Sequence, residues 1–159
     1  MAFEPVTPAR VFQINLSQGG VPKLAVRQAQ VTSVGLTGDE HRDMVHHGGP
    51  ERALCLYSLE LIQALQAEGH SIFPGSVGEN LTLSGLDWEH MVPGKRLLLG
   101  DQVLVEVTRY TEPCSNIRFS FVGEAISRIA QKKHPGWSRV YARVITEGEI
   151  TVGDTVSLV

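Results

Sequence analysis

Gln102–Arg109 places Val103, Val105 and Val107 on alternate positions, directly behind the turn residues Gly100-Asp101. A period of two marks a strand with one buried face. The chain closes on a similar phrase, in which Ile150 and Val152 precede Gly153-Asp154 and Val156 and Leu158 follow. Both phrases carry apolar-Gly-Asp-x-Val, a tight turn feeding a strand. The echo is too short for an internal repeat and reads as one turn solution used twice. Arg10–Leu16 alternates Val11, Gln13 and Asn15 with Phe12, Ile14 and Leu16, and the glycines of Ser17-Gln18-Gly19-Gly20 then turn the chain. Ala25–Leu36 is a second extended candidate, Ala53–Tyr57 a short buried strand, and Asn80–Leu83 a weaker one; Arg96–Leu99 leads into the central turn. Sixteen glycines and eight prolines keep these runs short.

Two helices fit between them. Ser58 can N-cap a helix with Leu61, Ile62 and Leu65 on one face, ended by Gly69. The second is expected over Ser120–Lys133, with Val122, Ala125, Ile126 and Ile129 at helical spacing and Pro135-Gly136 as its stop. Regular strand–helix alternation is absent, which excludes a doubly wound sheet. The expectation is a mainly β fold with a few helices, built as a decorated barrel from a single domain over residues 1–159.

Composition narrows the function classes. Fourteen basic against seventeen acidic residues leave a net charge of -3, which offers no general attraction to a nucleic acid polymer or an anionic membrane. Two cysteines in no close pair exclude a disulfide scaffold and a CxxC motif. No apolar run approaches the roughly 20 residues of a membrane span. Glu4 and two prolines within Met1–Arg10 argue against a secretory signal, so a cytoplasmic location is expected.

Three polar clusters could carry chemistry. Gly38-Asp39-Glu40-His41 and His46-His47-Gly48-Gly49-Pro50-Glu51-Arg52 hold three of the six histidines. A zinc site is one reading, but His46 and His47 are adjacent rather than at the helical i, i+4 spacing. Loop hydrogen bonding is the plainer one. In a third, the backbone at Gly48-Gly49 cradles an anion with Arg52 as bidentate partner. The stretch from Phe73 to Asn80 is neither GxGxxG nor a P-loop. It reads as a turn in which Glu79 and Asn80 could bind a heterocycle's edge. Finally, Thr111-Glu112-Pro113-Cys114-Ser115-Asn116 puts a thiol between a strong strand and the second expected helix, near Arg109 and Arg118. That setting should favour thiolate, as nucleophile or metal ligand. Cys55, inside an alternating apolar run, reads as core.

Five phrases, taken together, resemble the MOSC domain, named after the C-terminal part of molybdenum cofactor sulfurases. They are Ser17–Lys23, Gly38–His41, His47–Ala53, Gly75–Asn80 and Glu112–Cys114, in the family's order and across nearly the whole chain. The small stand-alone bacterial type, linked to resistance to N-hydroxylated base analogues, is the nearest match. The resemblance implies a MOSC-like β-barrel and binding of the molybdenum cofactor, a metal held by a molybdopterin dithiolene. It also implies that Cys114 supplies the protein's thiolate ligand to molybdenum. Within the matched phrases, Lys23, His47, Gly48, Gly49, Arg52, Glu79 and Asn80 are the residues available to bind the rest of the cofactor. The larger sulfurases carry a pyridoxal phosphate domain for which this chain has no room, so pyridoxal phosphate is not expected.

The function expected on these grounds is reduction of small N-hydroxylated compounds. Nothing in the sequence recognisably binds flavin, nicotinamide or an iron–sulfur cluster, so electrons would come from partner proteins. The main alternative is a non-catalytic module that carries the cofactor or its sulfur. A zinc or cysteine hydrolase built on His41, His46 and His47 is a third reading.

Overall fold

The computed structural model describes residues 8–17, 20–40 and 49–159. Its largest element is an eight-stranded sheet. In chain order the strands of the described residues are β1 (Arg10–Leu16), β2 (Leu24–Val26), β3 (Gln28–Thr32), β4 (Gly35–Leu36), β5 (Leu54–Ser58) and β6 (Leu81–Ser84). They continue with β7 (Arg96–Leu99), β8 (Val103–Tyr110), β9 (Val140–Thr146), β10 (Gly148–Thr151) and β11 (Val156–Leu158). The large sheet runs β11-β7-β8-β9-β5-β6-β1-β2, and β10-β3-β4 form a small second sheet. The alternating valines of β8 are fully buried, so the period-2 pattern has the expected cause.

Among the described residues only β5 and β6 pair in parallel. A parallel pair needs a long crossover, and the segment between them contains the single α-helix of the described residues, α1 (Leu59–Ala67). Its start is fixed as expected: Ser58 adopts an extended conformation and its hydroxyl accepts from the Leu61 N–H at 3.1 Å. Ile62 and Leu65 turn into the core.

The expected barrel is not closed. Arg10 and Val11 meet the 153–156 turn through one isolated bridge, Arg10–Thr155, while Ile14–Leu16 pair with β2. Because two neighbours share that edge of β1, neither ladder extends far enough to seal the sheet. The class remains mainly β.

The second expected helix is also corrected. Residues 115–129 form three short 3-10 turns, Ser115–Ser120, Val122–Glu124 and Ile126–Ile129. Gly123 and Glu124 take φ of 62° and 58°, which no α-helix accommodates. Of the supposed buried face, Val122 and Ala125 are exposed. Ile129 does bury, but beside Ile117 and Phe121, which lie off that face. Strand β9 was left unassigned by the sequence reading, yet it lies at the sheet's centre between β8 and β5.

Candidate functional site

The site is organised around β5. Cys55 sits opposite Tyr141 of β9. On its other side the Cys55 backbone N–H donates to Asn80 Oδ1 at 2.9 Å, and its carbonyl accepts from the Asn80 N–H at 2.7 Å. Asn80 is thereby clipped onto the strand just before β6 begins. Its Nδ2 donates to Asp39 Oδ2 at 2.8 Å, and Asp39 Oδ1 accepts from Lys23 Nζ at 2.6 Å and from the Ser17 N–H at 2.9 Å. One carboxylate thus joins three of the conspicuous phrases of the sequence. Lys23, one of the residues available to the cofactor by resemblance, is 8% exposed and paired with Asp39.

Gly75 explains how closely these loops approach. The Lys23 N–H donates to the Gly75 carbonyl at 2.9 Å, and a Cβ at Gly75 would run into the Lys23 carbonyl oxygen. With φ at 91°, the position demands glycine on both counts.

Glu79 is completely buried beneath this junction. Its Oε2 accepts from the Thr82 hydroxyl at 3.1 Å, while no protein group bonds Oε1. Burial pushes its carboxyl up to about 7, against hydrogen bonds from Gly75, its own backbone and Thr82 and the charge of Arg139. A carboxyl raised on folding binds its proton more tightly in the native state. Its contribution therefore falls as pH rises from about 4.5 to about 7, by up to about 3 kcal/mol. Glu79→Gln should then melt progressively higher than wild type between pH 5 and pH 8. A difference in melting temperature that stays flat over that interval would remove Glu79 as the cause.

The second half of the site lies across β9. Residues Pro50–Arg52 form a 3-10 turn that Thr108 of β8 anchors by donating to the Glu51 carbonyl at 2.6 Å. This seats the Arg52 guanidinium 5.7 Å from the centre of the Tyr141 ring. Beyond β8, the Thr111 N–H bonds the Arg139 carbonyl at 3.0 Å, and the chain reaches Cys114 at the head of the first 3-10 turn. Burial pushes the Tyr141 phenol up to about 12, with smaller contributions from Cys55, Arg139, Arg52 and Cys114. Tyr141 thus lies opposite Cys55, beside Arg52 and within electrostatic reach of Cys114.

The two cysteines differ. Cys114 is half-buried, whereas Cys55 is buried and its thiol is pushed up to about 11, chiefly by burial. Only the first suits thiolate chemistry. Arg139 is 7% exposed and donates to the Val77 carbonyl at 2.6 Å, leaving its Nε without a protein partner; the hydroxyl of Thr111, whose N–H bonds the Arg139 carbonyl, is likewise buried and unpartnered. Sequence reasoning missed Asp39 as the hub, and missed Arg139 and Tyr141. The signal for the last two was the alternation of Arg139, Tyr141 and Arg143 with Val140, Ala142 and Val144.

His41, His46, His47 and Gly48 lie outside the described residues, and with them the zinc reading. Gly49 directly precedes the Arg52 turn with φ at 89°. Among the described residues no three His, Cys, Asp or Glu side chains converge as metal ligands. Two cavities, of about 460 and 240 Å³, open elsewhere, beside Arg10 and Asp154 and beside Trp88 and Tyr110. No helix among the described residues is long and apolar enough to cross a membrane.

The chain is similar to several known proteins. A model of the MOSC domain matches residues 43–157. The chain is 32% identical over 123 residues to the uncharacterized protein YflK of Bacillus subtilis, covering 76% of this chain and 54% of that one. It is 35% identical over 133 residues to a protein named reductase from Gibberella moniliformis, covering 80% of this chain but 23% of the relative. Each of these relatives thus extends well beyond the shared region. The crystal structure of YiiM from Geobacillus stearothermophilus superposes with a TM-score of 0.76 at 27% identity, covering 96% of this chain and 75% of that one.

Proposed function

The chain belongs to the MOSC domain family, and on that premise we propose that it binds the molybdenum cofactor and reduces small N-hydroxylated compounds with electrons from partner proteins. The observation that carries this reading is the contrast between the two thiols. Cys114 stands half-buried within electrostatic reach of Tyr141, the ring beside Arg52, while Cys55 is sealed in the core.

The donor set suits such a group. A single accessible thiol is the soft ligand that molybdenum requires of the protein. Arg52 supplies a guanidinium able to meet a phosphate with two parallel bonds, and Arg139 keeps a buried N–H without a protein acceptor. In this reading Cys114 ligates the metal and Arg52, with Gly49 and the preceding His47 and Gly48, holds the cofactor's anionic end. Lys23, Asn80 and Glu79 contribute through the loops they fix. Once bound, the cofactor would supply two-electron redox chemistry at an N–O bond. Cleaving N–OH to amine and water consumes two electrons and two protons. The Tyr141 phenol stays protonated at neutral pH, so this wall of the site presents a donor rather than a second negative charge.

Protein purified from a cofactor-competent host should contain molybdenum and reduce a hydroxylamine with an artificial electron donor. Loading without turnover would instead make the chain a carrier; stoichiometric zinc would refute the reading. Arg52→Ala should retain roughly ten- to a hundredfold less cofactor after identical purification, the effect of losing one charge-assisted contact. Undiminished molybdenum and pterin content in that variant would place the anionic end elsewhere.

A further inference from the structure

The segment that follows Cys114 has little regular structure of its own, yet it is gripped at several points by the turn that ends α1. The Ser71 hydroxyl donates to the Phe119 carbonyl at 2.9 Å. The Val122 N–H donates to His70 Nδ1 at 3.1 Å, and the His70 ring packs edge-on against Phe121 with centroids 5.4 Å apart. Glu68 receives two hydrogen bonds from Arg128, at 2.9 and 2.8 Å, and Arg128 in turn lies 4.0 Å over the Trp137 ring. His70 therefore occupies the middle of a clasp between residues 68–71 and 119–128.

An imidazole nitrogen can accept a backbone N–H only when it carries no proton. We infer that His70 is a positioning residue for the Cys114-bearing segment, acting through Val122, and that protonation of His70 opens the clasp. Charged groups of both signs stand around it. Glu68 Oε1 lies 3.5 Å from His70 Nε2. Arg128 donates to that same oxygen. On the 3-10 segment, Arg118 and Glu124 pair at 3.9 Å. The inference concerns the segment alone and holds whether or not the cofactor reading does.

Asparagine offers the test its sharpest control, because its Oδ1 can take the place of Nδ1 and cannot be protonated. In the cofactor-free protein, the Val122 amide proton resonance should move with pH at the same midpoint as the His70 ring. In His70→Asn it should stay at its hydrogen-bonded position across that range. Alkylation of Cys114 at fixed pH, with buried Cys55 as internal reference, should be roughly fivefold faster in His70→Ala, the factor given by losing one ordinary hydrogen bond. His70→Asn should restore the wild-type rate. A Val122 amide indifferent to His70 titration, or equal alkylation in His70→Ala and wild type, overturns the proposal. The wild-type titration decides the matter even if the alanine variant fails to fold.

Discussion

Cys114→Ala should yield a folded protein with molybdenum reduced at least on the order of a hundredfold, since even outer contacts to a bound metal are worth ten- to a hundredfold. Folding should survive because Cys114 is half-buried at the head of a 3-10 turn and its side chain caps nothing. Its carbonyl, which accepts from the Ile117 N–H at 3.2 Å, is unaffected by the substitution. Cys55→Ala should do the reverse. That thiol is core, so its loss costs about 1 kcal/mol of stability and leaves metal content nearly unchanged. Metal analysis and thermal melts on both variants provide the four values needed. Wild-type molybdenum in a folded Cys114→Ala protein would end the ligand assignment.

How legible the site was depends on which kind of contact holds each residue. The strands of β1, β7 and β8 were readable because alternation is a local property, and the Ser58 cap because its bond spans three residues. The segment after Cys114 was misread because Val122, Ala125, Ile126 and Ile129 happen to repeat at helical spacing. Its actual packing is decided by His70, Ser71 and Glu68, some fifty residues earlier in the chain. The same holds for Asp39. Nothing local distinguishes it from any acidic turn residue, and its importance comes from donors at positions 17, 23 and 80 that meet only in the folded chain. The alternation of Val140, Ala142 and Val144 in β9 was available, but Arg139, Tyr141 and Arg143 on the other face disguised it as a polar stretch. Arg139 and Tyr141 are nevertheless buried at the site, whereas Arg143 is only partly buried and pairs with Glu106.

Asp39→Ala should be the most destabilising single change at the site, by about 3–5 kcal/mol, the usual result of removing one partner from a buried ion pair. The Asp39 side chain is 1% exposed and that of Lys23 is 8% exposed, so the ammonium left behind has little water to replace its partner. The Ser17 N–H and Asn80 Nδ2 lose an acceptor as well. Asn80 would then keep its bonds to the Cys55 backbone and the Asn15 N–H with its Nδ2 released, and the loops at Ser17, Lys23 and Gly75 would lose their common anchor. Asp39→Asn keeps an acceptor oxygen and should cost less. The decisive comparison is Lys23→Met with Asp39→Ala in one protein. If the stranded charge causes most of the loss, the double variant should be more stable than Asp39→Ala alone, a coupling that denaturant midpoints resolve. Strict additivity of the two single losses would mean that Lys23 and Asp39 act separately and that the carboxylate does not tie the three loops together.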